Sequence, residues 1–197
     1  MNRKRDMVAA ILLAAGLSRR TGEENKLLRG IEGKPMISRT IVQLLASTTD
    51  RVVLVTGHEK EAVEAVLPTH SKLSLVYNPD YTTGLNSSIS RGIATLGQDV
   101  EGCCICLGDM PFLATNDYNY VFKAFENEIK NKSEPTILTP IYHGQPGHPV
   151  CFSHHFFSEL VALPLTDEGA KSIVKKHRGT VRILNVESTR FVRDIDI

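Results

Sequence analysis

The chain has 197 residues, about one domain's worth at roughly 150 residues per domain, so a single unit over residues 1–197 is expected. Its 23 Lys+Arg against 22 Asp+Glu leave a net charge of +1, with 42% of residues hydrophobic. That balance can build a core and excludes both a basic nucleic-acid coat and a disordered acidic tail.

The front of the chain is ambiguous. Asn2, Arg3, Lys4 and Arg5 precede an apolar run from Met7 to Ala15, the layout of a short secretory signal. The run is far shorter than the about 20 residues of a membrane helix. It leads into Gly16, Ser18 and two arginines with no Ala-x-Ala cleavage site, so it reads as a buried strand. A strand over 8–13 is followed by a helix over 36–46, which starts after Pro35 and carries Ile37, Ile41, Leu44 and Leu45 on one stripe. Next come a strand over 51–56, a helix over 59–66 that stops before Pro68, a strand over 73–77, a helix over 87–96 and a strand over 103–107. A helix over 116–129, strands over 136–140 and 149–152, helices over 154–163 and 168–177, and a strand over 181–184 complete the alternation. The pattern predicts an α/β fold, a mostly parallel sheet flanked by helices. Residues 140–151 are rich in Gly and Pro, and a small antiparallel addition is expected there. Cys103, Cys104 and Cys106 are too close to bridge one another and lack CxxC spacing. With Cys151 they read as buried, reduced thiols of a cytoplasmic protein, with no membrane or nucleic-acid partner expected.

Ligands of open parallel sheets lie beyond the carboxyl ends of the strands, so the chemistry is expected in the loops that follow strands. The first such loop holds Ala14, Ala15, Gly16, Ser18, Arg20 and Lys26. Glycine lets backbone amides approach an anion, serine adds a donor, and the two cations pair with phosphate oxygens. The loop matches neither G-x-x-x-x-G-K-[ST] nor G-x-G-x-x-G, and a solvated loop with its arginines in water is the alternative. Gly108-Asp109-Met110-Pro111 puts a carboxylate at the end of a strand, suited to Mg²⁺ or, alternatively, to a simple turn. Asn86, Ser87 and Ser88 open a helix with more polar groups than one cap needs, and so suit a nucleotide. His148 sits between Gly147 and Pro149 as a donor to a ligand or as a turn histidine. Thr166 or Asp167 reads as the N-cap of the next helix, whose Lys171, Lys175, Lys176 and Arg178 form either a solvated face or an anion-attracting one. No nucleophile elbow G-x-S-x-G is present, which argues against a hydrolase.

Leu13-Ala14-Ala15-Gly16-x-Ser18-x-Arg20-x-Gly22 with Lys26, Gly84-Leu85-x-Ser87-Ser88, Gly108-Asp109-Met110-Pro111, Gly147-His148-Pro149-Val150, Asp167-x-Gly169-Ala170-Lys171 and Asp194-Ile195-Asp196 occur in that order. Together they resemble the molybdenum cofactor nucleotidyltransferases, within the Rossmann-like nucleotidyltransferases, over nearly the whole chain. Ala-Ala-Gly at 14–16 resembles the cytidylyl branch, since guanylyl relatives tend to carry Ala-Gly-Gly there. Two departures stand out. Lys26 lies six residues after Arg20 instead of five, with Thr21 in place of a larger Met or Phe. The relatives also continue past the Asp-Ile-Asp into a final helix, whereas this sequence stops at Asp196-Ile197.

The resemblance implies transfer of CMP from CTP to the terminal phosphate of molybdopterin, releasing pyrophosphate. It implies Arg20, Lys26 and Asp109 as catalytic residues and Ala14, Ala15, Gly16, Ser18, Asn86, Ser87 and Ser88 around the nucleotide. His148, Asp167 and Lys171 would face molybdopterin, and Asp109 and Asp196, with Asp194 as alternate, would hold Mg²⁺. A molybdoenzyme is a further expected partner. The alternatives are a nucleotidyltransferase that uses GTP or another small phosphate acceptor, and a non-catalytic chaperone that binds the cofactor.

Overall fold

The computed structural model describes residues 7–17, 25–130 and 134–195. In chain order the elements are β1 (Met7–Ala14), β2 (Gly30–Ile31), β3 (Lys34–Pro35), α1 (Met36–Leu45), β4 (Arg51–Thr56), α2 (Lys60–Ala65), β5 (Leu73–Tyr77), α3 (Leu85–Ile93) and β6 (Val100–Leu107). They continue as α4 (Thr115–Lys130), β7 (Ile137–Tyr142), β8 (Gln145–Pro146), β9 (Val150–Ser153), α5 (Phe157–Val161), α6 (Lys171–Lys176) and β10 (Val181–Asn185).

The main sheet runs β10-β7-β9-β6-β1-β4-β5, with β8 folded back on β7. β1 pairs in parallel with β4 and β6, β4 with β5, and β7 with β10, while β9 lies antiparallel between β6 and β7. The sheet is therefore mostly parallel, and the expected antiparallel addition is the β7–β8 hairpin together with β9. The small β2–β3 hairpin was not foreseen, because its strands are too short to give an alternating pattern. Its turn places Glu32 and Gly33 at φ +50° and +79°, the two left-handed positions that a two-residue hairpin requires.

β1 is buried on both faces, which is why its sequence is an unbroken apolar run instead of an alternating one. Ala10, Leu12 and Ala14 pack in the core beneath α1 and α4, while Ile11 and Leu13 pack in the core beneath α3 and α5. The apolar stripe expected on α1 is found as buried Ile37, Ile41, Leu44 and Leu45, and α4 buries Tyr118, Val121, Phe122 and Phe125. All four cysteines are buried and free, and burial pushes the Cys103, Cys104 and Cys106 thiols up. Among the described residues no helix is long and apolar enough to cross a membrane.

From β1 the chain builds outward through β4 to β5, then returns to place β6 on the other side of β1. The strand order thus reverses between β1 and β6, and it is beyond the carboxyl ends of the strands at such a reversal that open α/β sheets bind ligands. Two helices differ from expectation. The stretch expected as a helix over 154–163 splits into a 3₁₀ turn, His154–Phe156, and the short α5. The helix expected over 168–177 begins only at Lys171, because Gly169 sits at φ +67° and residues 166–167 bond to α3 instead of to their own helix.

Gly92 packs the inner face of α3 onto the sheet, and a Cβ there would lie 2.7 Å from Ile11 Cγ2 and 3.0 Å from Val55 Cγ2. Both methyls belong to stiff β-branched side chains. Overpacking of about 1–3 kcal/mol should outweigh the about 1 kcal/mol that alanine gains in helix propensity. Gly92→Ala is therefore expected to lower the urea midpoint, and an unchanged or higher midpoint would show that the α3–sheet contact yields.

Candidate active site

The carboxyl ends of β1 and β6 are drawn together by a main-chain bond. The Gly108 amide donates to the Leu13 carbonyl at 3.0 Å. A Cβ at Gly108 would stand 2.9 Å from that carbonyl oxygen and 3.1 Å from Ile37 Cδ1, so only glycine allows the approach. The Thr40 hydroxyl, buried in α1, meets the Gly108 carbonyl at 3.0 Å, and buried Met110 anchors the far side of the turn. Asp109 is thereby held just beyond the end of β6.

Lys26 reaches it from the first loop. Its Nζ lies 2.9 Å from Asp109 Oδ2, and both side chains are mostly buried. The lysine is aimed by Asn25, whose Oδ1 accepts from the Leu27 amide at 3.0 Å to start the 3₁₀ turn Lys26–Leu28, and whose Nδ2 donates to the His58 carbonyl at 3.3 Å. Asn25 was missed in the sequence, although an Asn directly before Lys-Leu-Leu is a recognisable cap signal. The second Asp109 oxygen, Oδ1, is buried without a hydrogen-bond partner. The Ile195 amide donates to the Asp109 carbonyl at 3.2 Å, which brings the Asp194 segment alongside. Among the described residues no group of three or more His, Cys, Asp or Glu could hold a metal, and Asp109 offers a single open carboxylate oxygen.

Asp109 stands beside a cleft of about 820 Å³ that runs over the α3/α6 face of the sheet and is lined in part by His148, Asp167, Lys171 and Asp194. His148 is set by its neighbours: the Gly147 amide donates to the Pro140 carbonyl and the His148 amide to the Phe191 carbonyl, both at 2.8 Å. A Cβ on Gly147 would collide with the Phe191 carbonyl oxygen. Burial holds the His148 pKa below its ordinary 6.5. The Ile105 carbonyl, Asp109 and Asp194 act the other way, and Lys171 reinforces burial.

α6 resolves its basic run into two faces. Lys171, Lys175 and Arg178 line the cleft and make no ion pair among the described residues, whereas Lys176 turns away to Glu159 at 3.1 Å. Asp167 caps a helix other than its own, its Oδ1 accepting from the Leu85 amide at the start of α3 at 3.0 Å. Asn86, Ser87 and Ser88 are buried and bond to protein: Asn86 Nδ2 donates to the Pro164 carbonyl and Thr166 Oγ1, and Asn78 Nδ2 donates to the hydroxyls of Ser87 and Ser88. These residues tie the loop after β5 to the segment before α6. Ala14 and Ala15 are buried at the end of β1, and Gly16 is exposed with open space around it. Ser18, Arg20 and Asp196 lie outside the described residues.

A carboxylate and a lysine paired where the strand order of a mostly parallel sheet reverses, beside a cleft that Lys171, Lys175 and Arg178 help to line, fit an α/β enzyme that handles anionic substrates. The chain belongs to the family of the MobA-like NTP transferase domain, whose profile matches residues 10–181, and it is a nucleotidyltransferase. It is 26% identical over 189 residues to the molybdenum cofactor cytidylyltransferase of Escherichia coli (strain K12), covering 96% of this chain and 91% of that one. Among solved structures it is similar to Rv0371c from Mycobacterium tuberculosis H37Rv, with TM-score 0.79 and 24% identity over 93% of this chain and 90% of the other. It is also similar to the molybdopterin-guanine dinucleotide biosynthesis protein A from Archaeoglobus fulgidus, with TM-score 0.64 and 20% identity over 92% and 85%.

The lowered pKa of His148 has a consequence for stability. Above pH 6.5 the ring is neutral both in the native and in the unfolded chain; as the pH falls through 6.5 the unfolded chain takes up a proton that the native site resists, so stability drops. The fall in urea midpoint between pH 7.5 and pH 5.5 is expected to be smaller in His148→Gln than in the unsubstituted protein, and equal falls would remove His148 as the cause.

Proposed function

We propose that this nucleotidyltransferase transfers CMP from CTP to the terminal phosphate of molybdopterin and releases pyrophosphate. The observation that carries the reading is the Lys26–Asp109 pair, at 2.9 Å, on the two loops that follow β1 and β6 where the strand order reverses, next to the cleft. The acceptor and base are supported by the cytidylyltransferase relative, which matches 96% of the chain, and by Ala14-Ala15-Gly16. Magnesium and a cytoplasmic setting belong to the same reading, as does hand-over of the product to a molybdoenzyme.

In the proposed step an oxygen of the acceptor phosphate attacks the α-phosphorus of CTP, and the bond from that phosphorus to the β-phosphate oxygen breaks in line, so the electron pair leaves with pyrophosphate. No covalent enzyme intermediate is required, and the protein's work is positioning and charge neutralisation. Gly16 and Ser18 approach the triphosphate with backbone and hydroxyl donors, and Arg20 and Lys26 steady the leaving pyrophosphate. Asp109, with Asp196 or Asp194, would hold the metal, and its buried, unpartnered Oδ1 leaves an oxygen donor of the kind a hard cation takes. When bound, Mg²⁺ supplies the charge that lets two anions meet. His148 and Lys171 face the acceptor. Asp167, Asn86, Ser87 and Ser88 serve by holding the loop after β5 against the segment before α6, at the mouth of the nucleotide site.

Asp109→Asn is expected to lower kcat for Mg²⁺-dependent pyrophosphate release by at least about 100-fold, the scale of losing a preorganised electrostatic group; unchanged turnover would dismiss Asp109 as the metal ligand. In thermal shifts with CTP, GTP and ATP, each with and without Mg²⁺, CTP with Mg²⁺ is expected to stabilise most. Stabilisation by GTP alone would move the protein to the guanylyl branch, and binding of the cofactor without any nucleotide turnover would leave the chaperone reading.

A further inference from the structure

The sheet's contribution to the cleft is apolar at Ile105, Val150, Val181 and Ile183, and polar at Thr139 and, on β8, at Gln145. Thr139 lies on β7 directly opposite Ile183 of β10 and two residues from Ile137, which packs in the α3/α5 core, so the pleat turns its side chain toward the cleft. It is only 6% exposed, and its Oγ1 has no hydrogen-bond partner. His148 Nδ1, also buried and unpartnered, belongs to the lining of the same cleft. A hydroxyl left unpaired on an apolar floor costs stability that a valine of nearly the same shape would not. The fold alone thus gives no reason for threonine at this position. In the same lining Lys171, Lys175 and Arg178 recur at helical spacing without ion pairs among the described residues, with Asp167, Glu168 and Asp194 also present.

We propose that Thr139 is a specificity-determining residue for the acceptor: its hydroxyl hydrogen-bonds a polar atom set back from the acceptor's phosphate, while the anionic end faces Lys171, Lys175 and Arg178. The cleft thus takes a phosphate ester whose body is largely apolar or planar and carries a hydrogen-bonding group. This deepens the proposed function and rests on it, since the cleft holds the acceptor only if the nucleotide's α-phosphate lies at Asp109.

The test compares Thr139→Val and Thr139→Ser with the unsubstituted protein, using molybdopterin as acceptor and CTP with Mg²⁺ as donor, and follows both pyrophosphate release and the melting temperature of the free protein. Thr139→Val is expected to raise KM for molybdopterin about tenfold, the scale of one lost hydrogen bond, to leave KM for CTP unchanged and to melt at the same or a higher temperature. Thr139→Ser should keep the original KM. An unchanged molybdopterin KM in Thr139→Val overturns the inference and leaves the proposed function standing. A lower melting temperature in Thr139→Val overturns it as well, because the hydroxyl would then serve the fold. If the unsubstituted protein transfers CMP to no molybdopterin at all, the proposed function falls, and this inference with it.

Discussion

The Gly108 amide and the Leu13 carbonyl meet at the point where the chain, having laid down β1, β4 and β5 on one side, returns to lay β6 on the other. That contact brings two loops of opposite origin to one edge of the sheet, and it requires that residue 108 have no side chain. Asp109 follows at once, so its carboxylate is placed by rigid strand ends and a buried turn, with no long loop to order. Lys26 reaches the same carboxylate from the other loop through a 3₁₀ turn that Asn25 begins. A charged pair that is mostly removed from water interacts more strongly than one on the surface, which is what a site for phosphate chemistry needs.

A net charge of +1 would offer little attraction to polyanions if the cations were spread evenly. The cleft lining carries Lys171, Lys175 and Arg178 alongside Asp167, Glu168 and Asp194; Asp167 is engaged by the Leu85 amide and the three cations make no ion pair among the described residues, while Lys176 is paired with Glu159 elsewhere. The late start of α6 contributes to this division. By leaving residues 166–167 free to bond the start of α3, the fold ties Asp167 and Thr166 to that helix and presents α6 from Lys171 onward.

Buried polar groups separate into those the protein satisfies and those it leaves open. Asn78, Asn86, Ser87 and Ser88 bond to protein atoms and join distant segments. Asp109 Oδ1, His148 Nδ1 and Thr139 Oγ1 are left without partners at the end of β6 or in the cleft, as are Arg39 Nε, Asn86 Oδ1 and the Tyr118 hydroxyl elsewhere. Unpaired buried polar atoms are costly, and the two that line the cleft, His148 Nδ1 and Thr139 Oγ1, stand where a ligand can reach them.

The strands, most helices and the mostly parallel sheet were legible in the sequence because each depends on local periodicity, and Asp109 and His148 stood out as candidates because they lie beside glycine or proline, Lys26 because it is a cation in the loop after the first strand. Which side of the sheet β9 joins, and the pairing of Asp167 with Leu85 at a separation of 82 residues, were not. A threonine in an apolar strand gives no signal that its hydroxyl is left open, and Asn86, Ser87 and Ser88 look alike whether they bond a ligand or the chain. The sequence by itself determined which residues are chemically able to bind, whereas only the tertiary structure decided which remain available, because a hydrogen bond or ion pair used within the fold depends on partners brought together from far along the chain.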